Sequence, residues 1–565
     1  MKRLLALLLP LLCLAAILTF AYSAQNVEEY DLLIKNGHVV DGTGSPWYSA
    51  DVAVRGDRIA KIGKLADARA RQVIDARGLV VSPGFIDMLG QSETYVLIDP
   101  RAMSKIMQGV TTEITGEGES AAPLNDALIR EQNDFLKKYN LKVDWHTLGE
   151  YFSRLERQGT AINLGTFVGA TQLREVVIGF DDRPPTPEEM ERMKKLAAEA
   201  MEDGALGLST SLQYVPARFA KTEELVELAK VAARYGGIYL THQRSEANAI
   251  VESLDEVFTI AERARIPAEV WHLKTAYQPN WGRMPEVLAL IEAARMRGLD
   301  ITANQYPYTA ASTDLKACLP PWAQAGGLEK MLGRLKDTAI RARLKREILA
   351  DAKDWENIYL GSGGAQGVMV ASTHNDELRR YEGKRISEIA AEQKKNELDA
   401  LFDLILADRG QTGAIYFMMS EDDVREALAR RWVAVGSDNG ARATDGPLAG
   451  SKSHPRGYGT FPRILGRYVR EQKLLSLEDA IYKMTWRAAW RVGLRDRGQI
   501  NEGMKADLTV FDPEKVVDRA TFDNPNQYPE GINYVIVNGT VAVENGKFTG
   551  KLAGRPVRGP GFKGK

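Results

Sequence analysis

The run GIYLTHQRSE, residues 237–246, is apolar on both faces until it reaches His242. AEVWHLKTA, residues 268–276, repeats the device with His272. Each short strand pattern is followed by a longer stretch with apolar residues at helical spacing. The alternation extends in both directions: TEITG, INLGTFVG, GALGLST, LDITANQY and WVAVGSD read as strands, TPEEMERMKKLAAEAMEDG and TEELVELAKVAARYG as helices. Such alternation over residues 85–480 implies parallel strands, in an open sheet or a closed barrel. Glu117, His242, His272, Tyr306 and Asp438 stand at or just beyond the C-terminal ends of their runs. A (β/α)8 TIM-like barrel gathers those ends on one rim, where an active site is built, and this convergence favours the barrel.

The flanks have a different texture. Residues 28–84 and 481–555 alternate apolar and polar residues between Gly or Asp-Gly turns, as in YDLLIKNGHVVDG, DVAVRGDRIAKIG and INYVIVNGTVAVENGKF. These two stretches read as one small β-sandwich assembled from both chain ends. Within the barrel, residues 313–383 are charged and helical and too long for a simple strand-to-helix loop. An inserted subdomain, read as a lid over the barrel mouth, is expected there.

The 565-residue chain is 44% hydrophobic and 26% charged, with a formal net charge of −1. That balance is ordinary for a globular protein and gives no reason to expect nucleic acid as a partner. Residues 1–24 combine Lys2 and Arg3 with an apolar run and small residues near Ala21–Ala24. They read as a secretory signal peptide, or as an N-terminal anchor if left uncleaved, in which case the membrane becomes a partner. Outside that segment Cys318 is the one cysteine, so no internal disulfide is available. Export without disulfides points to the bacterial periplasm. Oligomeric state is left open.

The chemistry rests on a few side chains. A lone histidine at a strand end is most often a hydrogen-bonded structural residue. Two on successive strand–helix units are harder to dismiss, since zinc takes neutral imidazoles and an anion in tetrahedral array with one position open for water. GEGES, residues 116–120, offers that anion as Glu117, with Glu119 as second choice; both also read as ordinary solvated loop carboxylates. Asp438 follows an apolar strand in VAVGSDNG, where it serves either as a helix or turn cap or as a proton acceptor and donor.

With these residues in place the chain resembles the amidohydrolase superfamily, and within it the D-aminoacylase (N-acyl-D-amino-acid deacylase) family, from about Tyr30 to Lys551. DLLIKNGHVVDGTG, VIDARGLVVSPGFID, GVTTEITGEG, THQRSE, WHLKTA, YPYTAASTDL, GSD, HPRGYGTFPRILGRYVRE and GMKADLTVFDP carry the resemblance, the last two strings most specifically. It implies that His242 and His272 hold a zinc ion and that Asp438 is the general acid/base. It further implies that Lys274, Tyr306 and Arg456 bind the substrate's carboxylate or shape its pocket, with Ser312 in the same pocket.

Two departures sharpen the expectation. Where the family commonly has a cysteine ligand in a GNCG-like turn, Gly118 stands here, which passes the role to neighbouring Glu117. Leu89 and Gln91 occupy the positions of the family's paired histidines, which belong to a weaker second metal site. One Zn2+ per chain is therefore expected. The implied activity is hydrolysis of N-acyl-D-amino acids, or of related amides containing a D-residue, as small-molecule substrates. A cyclic-amide hydrolase of the same superfamily is disfavoured by the missing histidine pair, and a non-catalytic binding protein by the retained polar set.

Overall fold

The computed structural model describes residues 29–564 except 132, 353 and 451. The expectation for residues 1–24 lies outside the described residues. No helix among those described is long and apolar enough to cross a membrane.

Eight parallel strands form the centre: β1 Phe85–Asp87, β2 Val110–Thr115, β3 Asn163–Thr166, β4 Gly207–Ser211, β5 Ile238–His242, β6 Ala268–Val270, β7 Ile301–Gln305 and β8 Val433–Val435. A short extension of β3, Val168–Gly169, pairs with β4 and joins the two halves of the sheet. The ring closes between first and last strands, where Met88 N donates to Val435 O at 3.2 Å and Asp438 N to Leu89 O at 2.7 Å. The barrel is a packed core. Ile86, Leu89, Ile114, Leu240, Phe167 and Trp271 fill it, the last two edge to face at a centroid distance of 5.7 Å. Helices such as Pro187–Asp203, Thr222–Arg234 and Ile250–Ala264 surround it, burying their apolar faces in one continuous cluster.

The two chain ends build a nine-stranded mixed sheet, joined where Val80–Pro83 pairs antiparallel with Leu508–Phe511. Leu32, Ile34, Val52 and Ile59 from one arm share a core with Leu508, Val510 and Ile536 from the other. Alternation decides which face each residue serves: Ile536 enters that core, while Val535 and Val537 turn toward the barrel. The C-terminal arm begins at Leu508 rather than 481. Leu477–Met484 and Trp486–Arg491 are helices, and Ala488, Ala489 and Val492 enter the barrel's own core.

The inserted unit is longer than 313–383. Its sheet pairs Gly413–Phe417 antiparallel with both Ala310–Asp314 and Val368–Ser372, so the unit runs over 310–419. It has its own core, with Leu335, Leu344, Phe402 and Tyr416 fully buried. GAIYF lies past two helices and looks in sequence like the next barrel strand; its antiparallel partners assign it to the insertion.

Candidate metal centre

Glu117, His242 and His272 come together at the rim, each offering one ligand atom within 4.8 Å of the others. Glu117 leaves the end of β2 in a Gly-rich turn. Gly118, with φ +73°, lies so close to Ser211 that a β-carbon there would overlap the serine side chain. No larger residue, cysteine included, fits that position in this backbone, and the neighbouring Glu117 is the carboxylate that reaches the two histidines. His242 is the last residue of β5. His272 lies two residues past β6 at φ 35°, its N–H donating to Asn304 Oδ1 at 2.9 Å. Asp438, three residues past β8, also has a left-handed backbone, φ 51°. Non-glycine residues held in that region are characteristic of sites whose surroundings over-determine them.

Glu117 Oε1 is 2.8 Å from His272 Nε2 and 3.2 Å from His242 Nδ1. The remaining imidazole nitrogens are tied back: His242 Nε2 to Gln213 Oε1 at 2.8 Å, and His272 Nδ1 to the Glu246 carboxylate at 2.9 Å and Lys274 Nζ at 2.7 Å. The Gln213 carbonyl takes the Nε2 proton of His242 and leaves its Nδ1 free for a metal, while the two contacts of His272 hold the orientation of its ring. Lys274 Nζ also donates to Glu246 Oε1 at 2.6 Å. Burial opposes the charge on Glu117, but His272 and His242 outweigh it and hold the carboxyl well below its usual range. Burial likewise opposes a proton on His272, as does Lys274, yet Glu246 and Glu117 push it up to about 9. A divalent cation between the three side chains would take the place of that proton. Two imidazoles and one carboxylate are an established donor set for zinc, which binds them at about 2.0–2.2 Å, and the three ligand atoms lie within 4.8 Å of one another. The residues fit a single metal ion.

Asp438 faces this group. Its Oδ2 pairs with Arg456 Nη1 at 2.8 Å and its Oδ1 accepts from Gln91 Nε2 at 2.9 Å. Burial raises the Asp438 carboxyl above its ordinary value, with Arg456 pulling the other way. Arg456 is buried, 4.5 Å above the Tyr306 ring, and its Nη2 donates to Ser312 O at 3.2 Å. A cavity of about 660 Å³ opens over the centre, and Glu117, His242, His272, Lys274, Tyr306, Ser312 and Asp438 line it. Glu119 lines it too but stands outside the three-residue cluster. Arg456 is not among the lining residues; it lies behind Asp438 and Tyr306.

Residues 72–543 match the amidohydrolase family. The D-aminoacylase of Alcaligenes xylosoxydans xylosoxydans is 38% identical over 534 residues, covering 94% of this chain and 98% of its own. The chain belongs to the amidohydrolase family. The N-acyl-D-glutamate deacylase of the same organism is 34% identical, over 91% of this chain and 93% of its own. A D-aminoacylase crystal structure superposes with a TM-score of 0.78 at 37% identity, over 94% of this chain and all of that one. An N-acyl-D-glutamate deacylase from Bordetella bronchiseptica, complexed with zinc and a phosphonate mimic of the tetrahedral intermediate, superposes at 0.77 with 32% identity and the same coverage. A Thermus D-hydantoinase, 16% identical with a TM-score of 0.53, shares the fold alone.

Within this amidohydrolase, sequence reasoning did not single out Gln213 and Glu246. Glu246 lies four residues after His242, a spacing compatible with a shared role. Gln213 carried no signal, since an amide past a strand end is common. Lys105 was missed as well, and it lies completely buried beneath the rim.

Proposed function

We propose that this enzyme hydrolyses the amide bond of N-acyl-D-amino acids, or of related amides containing a D-residue, with a single zinc ion. The observation that carries this reading is the Glu117–His242–His272 cluster facing Asp438 across one cavity. It is supported by full-length similarity to proteins named for that activity. Glu117, His242 and His272 would hold the zinc ion, which would supply Lewis acidity toward the scissile carbonyl and lower the pKa of water. Asp438 accepts a proton from the attacking water and delivers it to the departing nitrogen. Arg456 holds the Asp438 carboxylate in place for both transfers. Lys274 and Tyr306 present an ammonium and a phenol to the cavity, where they receive the substrate's carboxylate. Burial keeps the Tyr306 phenol neutral, so it donates a hydrogen bond. Export by residues 1–24 would bring the enzyme to D-amino-acid derivatives outside the cytoplasm.

The test is a panel of N-acyl-D- and N-acyl-L-amino acids assayed with metal-stripped and zinc-reconstituted protein. Turnover of D-substrates that returns with zinc is expected. Activity confined to L-substrates, or full activity without metal, overturns the reading.

A further inference from the structure

Gln91 stands at the closing seam of the barrel, where the end of β1 is flanked by β2 and β8. Gly90 N donates to Ile114 O at 2.7 Å and Gln91 N to Asn439 O at 3.3 Å, so both neighbouring strands anchor this backbone. The side chain therefore lies between the carboxylates that leave those strands. Its Nε2 donates to Glu117 Oε2 at 2.9 Å and to Asp438 Oδ1 at 2.9 Å. An amide nitrogen carries two N–H groups, one for each carboxylate. The flipped amide would set a carbonyl oxygen against two anions, so the contacts fix its orientation.

The other oxygen of each carboxylate is assigned elsewhere. Glu117 Oε1 faces the two imidazoles, and Asp438 Oδ2 faces Arg456. Two carboxylates turned toward one point repel unless positive charge or donors lie between them. Leu89, two residues back, is wholly buried in the barrel core and offers no ligand atom.

We propose that Gln91 is a positioning residue whose amide does the work of a second cation. It holds the metal-binding carboxylate and the general acid/base apart at fixed orientation, and it fills the place between them. The inference rests on the single-metal reading above and explains how such a centre keeps Glu117 and Asp438 in register without another ion.

Zinc per chain is measured by elemental analysis after equilibration of folded wild type, Gln91→Ala and Gln91→Glu with excess zinc, and kcat and KM are determined for each. Wild type is expected to hold about one zinc throughout, and the variants to rise toward about two as the freed carboxylates capture a second ion. In Gln91→Ala, kcat is expected to fall about ten- to hundredfold with KM little changed, the range typical for partners that orient metal ligands. Two zinc ions in wild type, or Gln91→Ala with one zinc and unchanged kcat, overturns the inference. Wild type that binds no zinc instead removes the functional reading beneath it. The metal measurement needs no substrate, so a failure of the activity panel leaves it decisive.

Discussion

Asp438 is held on three sides: Gln91 and Arg456 grip its two oxygens, and its own N–H is fixed by Leu89 O across the seam. A base so placed works only when ionised, and burial has moved its pKa upward. The acid limb of kcat/KM should report this carboxyl, with activity lost as pH falls through it. Arg456→Gln removes the charge that favours the anion and should move that limb to higher pH. Asp438→Asn should lower kcat about a hundred- to ten-thousandfold, the range for loss of a general acid/base, with zinc retained. A pH–rate profile of the three proteins, with metal content, checks both expectations. At this scale the sequence made the candidate ligands and the proposed base legible because each stands at or just past the end of an apolar run. The resemblance implied that Arg456 binds the substrate's carboxylate or shapes its pocket, and an arginine's partner cannot be read from its own motif. The Asp438 ion pair appears only when residues 18 apart meet.

Among the barrel strands, the seam between β1 and β8 carries an unusual charge load. Lys105, Asp87 and Glu113 are all wholly buried. Lys105 Nζ donates to Asp87 Oδ2 at 2.8 Å, Ser437 Oγ at 2.7 Å and Asn439 O at 2.6 Å, and lies 3.4 Å from Glu113 Oε1. One ammonium thus ties the end of β1 to the residues either side of Asp438. Gly90 completes the arrangement, since a β-carbon there would collide with the Glu113 carboxylate. Burial raises Glu113, with Lys105 opposing, and the lysine remains charged because Asp87 and Glu113 outweigh its own burial. Lys105→Met leaves those acids buried without a counter-charge and should cost about 3–5 kcal/mol, as for other broken buried pairs. Denaturant unfolding measures the loss. An unchanged midpoint would show that the acids are simply protonated and that the lysine ties nothing. The apolar halves of these strands were legible in PGFID and WVAVGSD, but the clamp was not. Lys105 lies in MSKIM, which by pattern is an ordinary helical turn.

The molecule as a whole is sewn together by its last residues. Strand alternation in both arms announced a small β-sandwich built from the two chain ends, though not its nine-stranded sheet, and the repeated strand–helix rhythm announced the barrel. The insertion's limits were obscured because its return strand follows helices just as a barrel strand does. The tail beyond Lys551 gave no periodic signal, yet it runs along β3 and its neighbours. Gly554 N donates to Thr160 O at 2.7 Å, Leu164 N to Arg555 O at 3.1 Å, Val557 N to Leu164 O at 2.8 Å and Gly559 N to Gly204 O at 2.8 Å. Val557 enters the barrel cluster beside Leu206 and Ile238. Asn163 joins three parts at once: its Oδ1 accepts from Asn538 Nδ2 of the sheet domain at 2.7 Å and from Arg555 N of the tail at 3.1 Å, while its Nδ2 donates to Asp507 at 3.2 Å. Deleting residues 552–565 would strip apolar cover from the barrel end opposite the metal centre, with Val557 alone worth about 1.5–3 kcal/mol of burial. The truncated enzyme should melt several degrees lower, yet bind zinc with unchanged stoichiometry and KM, because the ligands sit at the other ends of the strands. Calorimetry with zinc analysis separates these outcomes: loss of metal with the tail would mean that the rim's geometry depends on the barrel floor.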